Sequence, residues 1–209
     1  MSIPFLGHSA DPGLPTLPDR LAPGLAVVFV GINPSVYSVE HGHYFARPTN
    51  RFWKALSRSQ LSKRARHGLG VEYLLPRHDT ELLRFGIGFT DVIKRPTANA
   101  TQLDPVEFER AVPVLLAKLQ QYAPQVACFH GMTGYRPFQR IVLGGKTKPE
   151  LGLQPECLGT TQLYVVPNPS GANAHFTPAQ QAGWYDRLAR LVRENSAGHH
   201  FRSNRRLSH

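Results

Sequence analysis

The sequence predicts an α/β protein, a three-layer α/β/α sandwich with a mostly parallel central sheet. Short buried strand patterns alternate with helix patterns along the chain, and this order is typical of that architecture. Two of the strand patterns run directly into loops that contain proline, which ends a strand and fixes the backbone. The length of 209 residues fits one domain with terminal extensions.

The predicted N-terminal arm comprises residues 1–23. It contains many prolines, too many for a regular helix or strand, at Pro4, Pro12, Pro15, Pro18 and Pro23. We expect an extended arm that packs in part on the body of the protein. A single domain is then expected to span residues 24–195.

Four segments of this domain have strand character. Residues 25–32 form a continuous apolar run, as expected of a parallel strand covered on both faces. Residues 86–92 have a weaker pattern that fits a strand or a loop. Residues 125–129 and 162–166 are short apolar segments that predict two further buried strands.

Helix patterns cover residues 49–60, 104–122 and 177–192, and another helix is expected from residue 133. Two of these helices begin with a capping box, started by Asp104 and by Thr177, with proline at the first helical position. Residues 61–80 are basic and ambiguous.

The composition excludes several classes of protein. There are 24 Lys and Arg against 14 Asp and Glu, so the formal net charge is +10 and the pI is about 10.1. This excess favours a polyanionic partner, nucleic acid before membrane. The longest apolar runs, such as residues 25–32, are far shorter than the ~20 residues of a membrane span. Only Cys128 and Cys157 are present, so we expect a cytoplasmic protein without a disulfide scaffold.

The last segment, residues 196–209, lacks apolar periodicity and carries Arg202, Arg205 and Arg206. It is predicted to be a basic flexible tail, and both a solvated tail and one that contacts phosphates stay open.

No cofactor or metal is predicted. Residues 143–147 resemble the end of a phosphate-binding loop, but that loop needs a glycine where this chain has Arg140. The histidines do not show the spacing of zinc ligands. No pattern indicates an oligomer, so a monomer is expected.

The two proline loops read Gly-Ile-Asn-Pro-Ser at 31–35 and Pro-Asn-Pro-Ser-Gly at 167–171. In parallel α/β sheets, ligands bind in the crevice beyond the carboxyl ends of the strands. We therefore expect the two loops to face each other across one cleft.

Four segments read VFVGINPS at 28–35, YFARPTNRFW at 44–53, FTDVIKRPT at 89–97 and VPNPSG at 166–171. In this order, over residues 25–192, they resemble the mismatch-specific uracil-DNA glycosylase and thymine-DNA glycosylase family of the uracil-DNA glycosylase superfamily. The resemblance implies the α/β/α fold and a monofunctional DNA glycosylase of base excision repair. Such an enzyme extrudes uracil or another altered pyrimidine from DNA, notably at G·U mismatches, and leaves an abasic site after water attacks C1′.

The resemblance also implies roles for single residues. Asn33 matches the asparagine that orients the attacking water, and Phe45 matches the ring that stacks on the extruded base. Backbone groups near Ile32 would recognise the base, Ser38 occupies the position of a small polar residue near its C5 atom, and Asn168 matches a base contact. Ordinary structural roles stay open: turn capping for Asn33 and Asn168, and core packing for Phe45.

Asp91 is a candidate because of its local position rather than the resemblance, since the family does not consistently place an acid there. A carboxylate in the loop that follows a Gly-rich strand segment could accept the proton of the water or stabilise the sugar cation. The alternative is a salt bridge with Lys94 or Arg95.

The loop after the last strand would enter the gap that the extruded nucleotide leaves, with Ser170, Gly171, Ala172, Asn173 and His175. It lacks a large apolar wedge, so we expect Asn173 or His175 to contact the orphaned base. Dependence on a guanine partner should be weak, and single strands should be substrates. Arg47 and Arg51 are candidate phosphate contacts, with a solvated basic surface as the alternative.

A non-catalytic nucleic-acid-binding module of the same fold is the second interpretation. It would tolerate loss of Asn33, Phe45 and Asp91, so the presence of all three favours an enzyme. In either case the expected partner is DNA, double-stranded with a mismatched uracil or single-stranded, and not a membrane.

Overall fold

The computed structural model describes residues 15–145, 147–171, 173 and 175–204, with side chains described as far as residue 197. Five strands form one sheet, in the spatial order β2-β1-β3-β5-β4. Four of them run parallel, and β4 is antiparallel to β5. The strands are β1 (Val27–Gly31), β2 (Ile87–Asp91), β3 (Val126–His130), β4 (Gly152–Leu158) and β5 (Thr161–Val166).

Six α-helices are described: α1 (Val36–His41), α2 (Phe52–Arg58), α3 (Lys63–Leu69), α4 (Pro105–Tyr122), α5 (Met132–Leu143) and α6 (Pro178–Asn204). Short 3-10 helices lie at Gln60–Ser62, Pro76–His78, Glu81–Phe85 and Ala100–Gln102. Both predicted capping boxes are present, because Asp104 and Thr177 accept hydrogen bonds from the first turns of α4 and α6. Within the described part of the chain, no helix is both long enough and apolar enough to cross a membrane.

The sheet separates two apolar layers, as the α/β/α prediction requires. Alternate β1 residues face opposite sides, with Val27 and Phe29 on one side and Val28 and Val30 on the other. Helices α2 and α6 cover the first side, and α4 and α5 cover the second. The predicted fold class is confirmed.

Three elements were not predicted from the sequence, and one of them, α3, lies in the segment 61–80 whose pattern was ambiguous. Helix α1 has only six residues, too few for a hydrophobic period, and it begins where Ser35 Oγ accepts the Ser38 N–H at 3.1 Å. Strand β4 is an edge strand in which Leu153 is exposed and Gln154 is buried. A polar residue thus faces inward and an apolar residue faces outward, so the alternation of hydrophobicity does not identify β4 as a strand.

The described parts of the predicted terminal segments contact or extend the domain. Leu17 is buried, and Arg20 pairs with Phe89 of β2 through two backbone hydrogen bonds of 2.9 Å. Helix α6 continues past residue 195 to Asn204, so residues 196–204 of the predicted tail are helical.

The parallel strands end at one edge of the sheet. Gly31 is in register with Asp91, and His130 is in register with Val166. Strand β1 lies between β2 and β3, so the next strand in sequence lies on one side of β1 and the following strand lies on its other side. A crevice opens at the carboxyl ends of the strands where the strand order reverses in this way.

Candidate active site

A cavity of about 650 Å³ lies at this edge of the sheet. Its size is within the ~300–1,000 Å³ usual for small-molecule sites. Both proline loops line it, so the structure brings together the two segments that the sequence places across one cleft. The predicted residues on its wall are Ile32, Asn33, Ser38, Phe45, Arg47, Asp91, Asn168, Ser170 and Asn173.

The side-chain amide of Asn33 is held by its nitrogen. Nδ2 donates to the Arg95 carbonyl at 2.9 Å and to Thr97 Oγ1 at 2.8 Å. A carbonyl can only accept, so the NH₂ group must face this loop. No described residue donates to Asn33 Oδ1, which leaves a hydrogen-bond acceptor on the cavity wall.

The side-chain amide of Asn168 is held by its oxygen. Oδ1 accepts the Ser170 N–H at 3.0 Å, the Asx-turn that the turn-capping alternative requires. An N–H group can only donate, so Oδ1 must face the turn. The turn does not engage the Nδ2 group, and no described residue accepts a hydrogen bond from it. Asn168 therefore offers a donor to the cavity.

Asp91 ends β2 and is almost fully buried, with 4% of its surface exposed. Burial raises the pKa of this carboxyl from 3.8 to about 6, while nearby Lys94 opposes the rise. Lys94 Nζ lies 3.6 Å from Asp91 Oδ2, whereas Arg95 pairs with Glu107 instead. Part of the salt-bridge alternative is thus present, but Oδ2 has no hydrogen-bond partner among the described residues.

The charge of Lys94 is shared with the N-terminal arm. Its Nζ lies 2.9 Å from Asp19 Oδ1, and Lys118 lies 2.6 Å from the other oxygen of Asp19. The two lysines lower the pKa of Asp19 below its usual value although burial opposes this. Asp19 therefore draws Lys94 away from Asp91, which leaves the buried Asp91 carboxyl incompletely neutralised.

Phe45 has a left-handed backbone, with φ of 53°. Such a conformation is strained for a bulky residue and is kept only when the surroundings enforce it. The preceding residue is fixed at both ends: Tyr44 N–H donates to the buried Asp79 at 3.0 Å, and Trp53 Nε1 donates to the Tyr44 carbonyl at 2.9 Å. The partly buried Phe45 ring stacks on Phe52, 4.3 Å between centroids, and still lines the cavity.

His130, which the sequence analysis missed, ends β3 on the same wall. Burial lowers its pKa to about 3, so the ring is neutral at physiological pH. Gln181 Nε2 donates to the Tyr185 hydroxyl oxygen at 3.3 Å, and that hydroxyl in turn lies 3.0 Å from His130 Nε2. The Tyr185 hydroxyl thus connects the His130 ring to Gln181 of α6.

Ser38 is buried and its hydroxyl organises the wall. Oγ accepts the Ala46 N–H at 3.2 Å and lies 3.0 Å from Ser35 Oγ. The segment before Phe45 is thereby connected to the loop that carries Asn33.

Arg51 holds the loop after β5. Its Nη1 donates to the Asn173 carbonyl at 2.7 Å and to the Phe176 carbonyl at 2.5 Å, an arrangement different from the phosphate contact that the sequence suggested. Gly171 lies against Thr49, where an added Cβ would be 2.9 Å from the Thr49 carbonyl. Gly171 and His175 do not line the cavity, and Ala172 lies outside the described residues.

Of the two functional residues that the sequence analysis missed, one had a signal in the sequence. His130 directly follows a predicted strand, where ligand contacts of α/β sheets concentrate. Thr97 ends the Arg-Pro-Thr segment and holds Asn33, but a contact between residues 64 positions apart has no local pattern.

Comparisons with known proteins agree with this fold. The family model of the Uracil DNA glycosylase superfamily matches residues 18–189 of the chain. The solution NMR structure of a "putative Uracil DNA glycosylase" from Methanosarcina acetivorans has a TM-score of 0.53 and 20% sequence identity. The match covers 84% of this chain and 96% of that one, and it shows a shared fold.

Proposed function

The chain belongs to the uracil DNA glycosylase superfamily, and from this premise we propose that it excises uracil from DNA by hydrolysis of the N-glycosidic bond. The extruded base enters the cavity at the sheet edge and lies against Phe45. The substrate class is DNA, and the product is an abasic site.

Asn33 and Asp91 serve the attacking water in this proposal. Oδ1 of Asn33 accepts a hydrogen from the water, which orients an oxygen lone pair towards C1′. An amide is too weak a base to remove the proton, so the Asp91 carboxylate takes it or stabilises the sugar cation. With a pKa of about 6, Asp91 is mostly ionised at pH 7 and still able to hold a proton.

Asn168 serves the base. Its NH₂ group donates to a carbonyl of the pyrimidine, where negative charge develops as the bond to C1′ breaks. His130 is neutral and contributes no positive charge to that side. Stacking on Phe45 binds any planar base. The Phe45 ring therefore provides apolar contact area, and the Asn168 amide provides the polar contact that recognises the pyrimidine.

The single observation that carries the proposal is the pairing of an acceptor, Asn33 Oδ1, with a donor, Asn168 Nδ2, on one cavity that also contains a buried carboxylate. The turn contacts decide which end of each asparagine stays free. The two free ends match what a water and a pyrimidine carbonyl need on one cavity, and this match supports the proposal.

The finer assignment is the mismatch-specific subtype. We propose activity on G·U mismatches with weak dependence on guanine, and activity on single strands, because the loop after β5 is short of large apolar side chains. Ser38 beside the base would disfavour the C5 methyl group of thymine.

The experiment uses purified protein with uracil-containing oligonucleotides, as single strands and opposite guanine or adenine. Gel bands that appear only after alkali treatment are the expected result, since a monofunctional enzyme leaves an intact abasic strand. The Asn33→Ala variant should form these bands much more slowly than the wild type, because the water loses its orientation. Absence of alkali-labile sites at uracil in every substrate would remove the proposed function, and a strict requirement for G·U duplex would remove only its strand preference.

A further inference from the structure

A second concavity of about 580 Å³ adjoins the active-site cavity. Three residues line both spaces, Phe45, Arg47 and Asn50. We call it the flanking groove; its other walls are the exposed side of α2 and the segment 73–76. The proposed mechanism leaves this space without a role.

The flanking groove is positively charged. Arg47, Lys54 and Arg58 line it and are exposed, and no acidic side chain lines it. None of the three cations has an ion-pair partner among the residues that the structure describes. Lys54 and Arg58 lie four residues apart on α2, and like charges at that spacing destabilise a helix. A bound phosphate would offset this repulsion.

An exposed aromatic ring stands in the same groove. Tyr73 is 57% exposed and neighbours Leu75, which is 39% exposed, above the buried Leu74. The neighbouring Glu72 raises the pKa of the Tyr73 hydroxyl, so one end of the ring has an acidic neighbour. An anionic ligand would therefore place its charge at the three cations and its apolar part on the ring.

Resting on the proposed function, we propose that the flanking groove binds the nucleotide next to the extruded one on the same strand. Its base stacks on Tyr73, and its phosphate lies at Arg47, Lys54 and Arg58. Stacking platforms combined with basic grooves are how proteins bind single-stranded nucleic acid without sequence preference. Arg47 stands at the junction of the two spaces, where one strand would pass from the groove into the active-site cavity.

The first test places 2-aminopurine, one position at a time, on each side of a 2′-fluoro-2′-deoxyuridine that resists cleavage. Stacking quenches this fluorophore, so wild-type protein should quench it most strongly at one flanking position. Tyr73→Ala should restore the fluorescence and weaken binding of the single strand about 10-fold, whereas Tyr73→Phe should retain both. Thermal melting confirms that each variant is folded.

The second test measures the salt dependence of binding. The affinity for DNA falls as salt rises, so log K against log salt has a negative slope. Lys54→Gln and Arg58→Gln should each make this slope shallower by about 0.7 per lost phosphate contact. Arg140→Gln, which removes an equal charge from the exposed side of α5 away from both spaces, should leave the slope unchanged.

The outcomes separate this proposal from the proposed function. Equal quenching at all positions in wild type and Tyr73→Ala, or equal slopes in all three charge variants, overturns the flanking groove. Tyr73-dependent quenching in a protein that releases no uracil supports the groove and contradicts the enzyme. Uracil release that is insensitive to Tyr73 at every length of oligonucleotide supports the enzyme and overturns the groove.

Discussion

The two asparagine–proline loops place the same side chain in one cavity and present opposite ends of it. Asn33, after β1, gives its NH₂ group to the Arg95 carbonyl and keeps its oxygen for the cavity. Asn168, after β5, gives its oxygen to the Ser170 N–H and keeps its NH₂ group. An asparagine is thus an acceptor or a donor according to what its other end binds, and the difference lies in the neighbouring backbone rather than in the residue.

The largest expected effect comes from removal of the acceptor. Asn33→Ala should lower kcat about 10²–10³-fold, because the water loses its orientation, with little change in KM. Single-turnover kinetics on a uracil oligonucleotide measures it. Asn33→Asp is the sharper variant: one carboxylate oxygen would face the Arg95 carbonyl, so activity should fall as far as in Asn33→Ala. A full retention of activity in either variant contradicts the acceptor role.

The role of Asp91 beside the water that Asn33 orients can be tested through the pH dependence of the rate. The active form is the carboxylate, so kcat/KM should rise with pH to a plateau above its pKa of about 6, and fall tenfold per pH unit below it. Asp91→Asn should lower the plateau about 10–100-fold and abolish this limb. A change of less than twofold in the chemical step removes Asp91 from the mechanism.

Asp91→Asn, which should lower activity, should increase the stability of the folded protein. The folded pKa of Asp91, about 6, lies above its ordinary 3.8, so the folded protein binds this proton more tightly. Ionisation therefore costs stability as pH rises from about 4 to about 6, and the cost is complete above that range. Asp91→Asn should melt at a higher temperature than wild type at pH 8 and at a similar one at pH 4. Equal melting temperatures at pH 8 would show that burial does not strain this carboxylate.

Removal of the donor should have a smaller effect. Asn168→Ala should lower kcat/KM about 10-fold, the value of one hydrogen bond to a base that Phe45 still holds. Asn168→Asp should lower it further, because a carboxylate replaces the donor with an acceptor opposite the pyrimidine carbonyl. Steady-state kinetics compares the two. If Asn168→Asp is as active as wild type, the donor assignment is wrong.

The smallest effects are expected from the residues that hold each loop. Thr97→Val removes one of the acceptors of Asn33 Nδ2 and should lower kcat about 3–10-fold, with rescue by Thr97→Ser. Arg51→Met releases two carbonyls of the loop after β5 and should raise KM by a similar factor. This split between kcat and KM distinguishes positioning of the water from positioning of the base. If both variants changed the same constant, the two loops would not have separate tasks.

Much of the fold follows from local patterns. The continuous apolar run of β1 and the capping boxes of α4 and α6 are local signals. They predicted β1 and α4 close to their observed bounds and also the start of α6, which extends beyond the predicted end at residue 192 to Asn204. Helix α1 and strand β4 were missed because one is too short for a period and the other buries Gln154 while exposing Leu153.

The candidate site was predictable in its members but not in its chemistry. The family resemblance pointed to Asn33 and Asn168 and the local position pointed to Asp91, and the structure places all three on one cavity. The rule that ligands bind beyond the ends of parallel strands, applied to β3, would have found His130. Roles for these residues stay predictions until the kinetic experiments are made.

By itself the sequence determined the layers of the fold, the prolines that end two strands and the residue types available at their ends, because each depends on a few adjacent residues. Tertiary structure alone decided which end of each asparagine is free, how far the pKa of Asp91 rises, and that Asp19 of the arm competes for Lys94. Those properties depend on hydrogen bonds, burial and charges that come from distant parts of the chain.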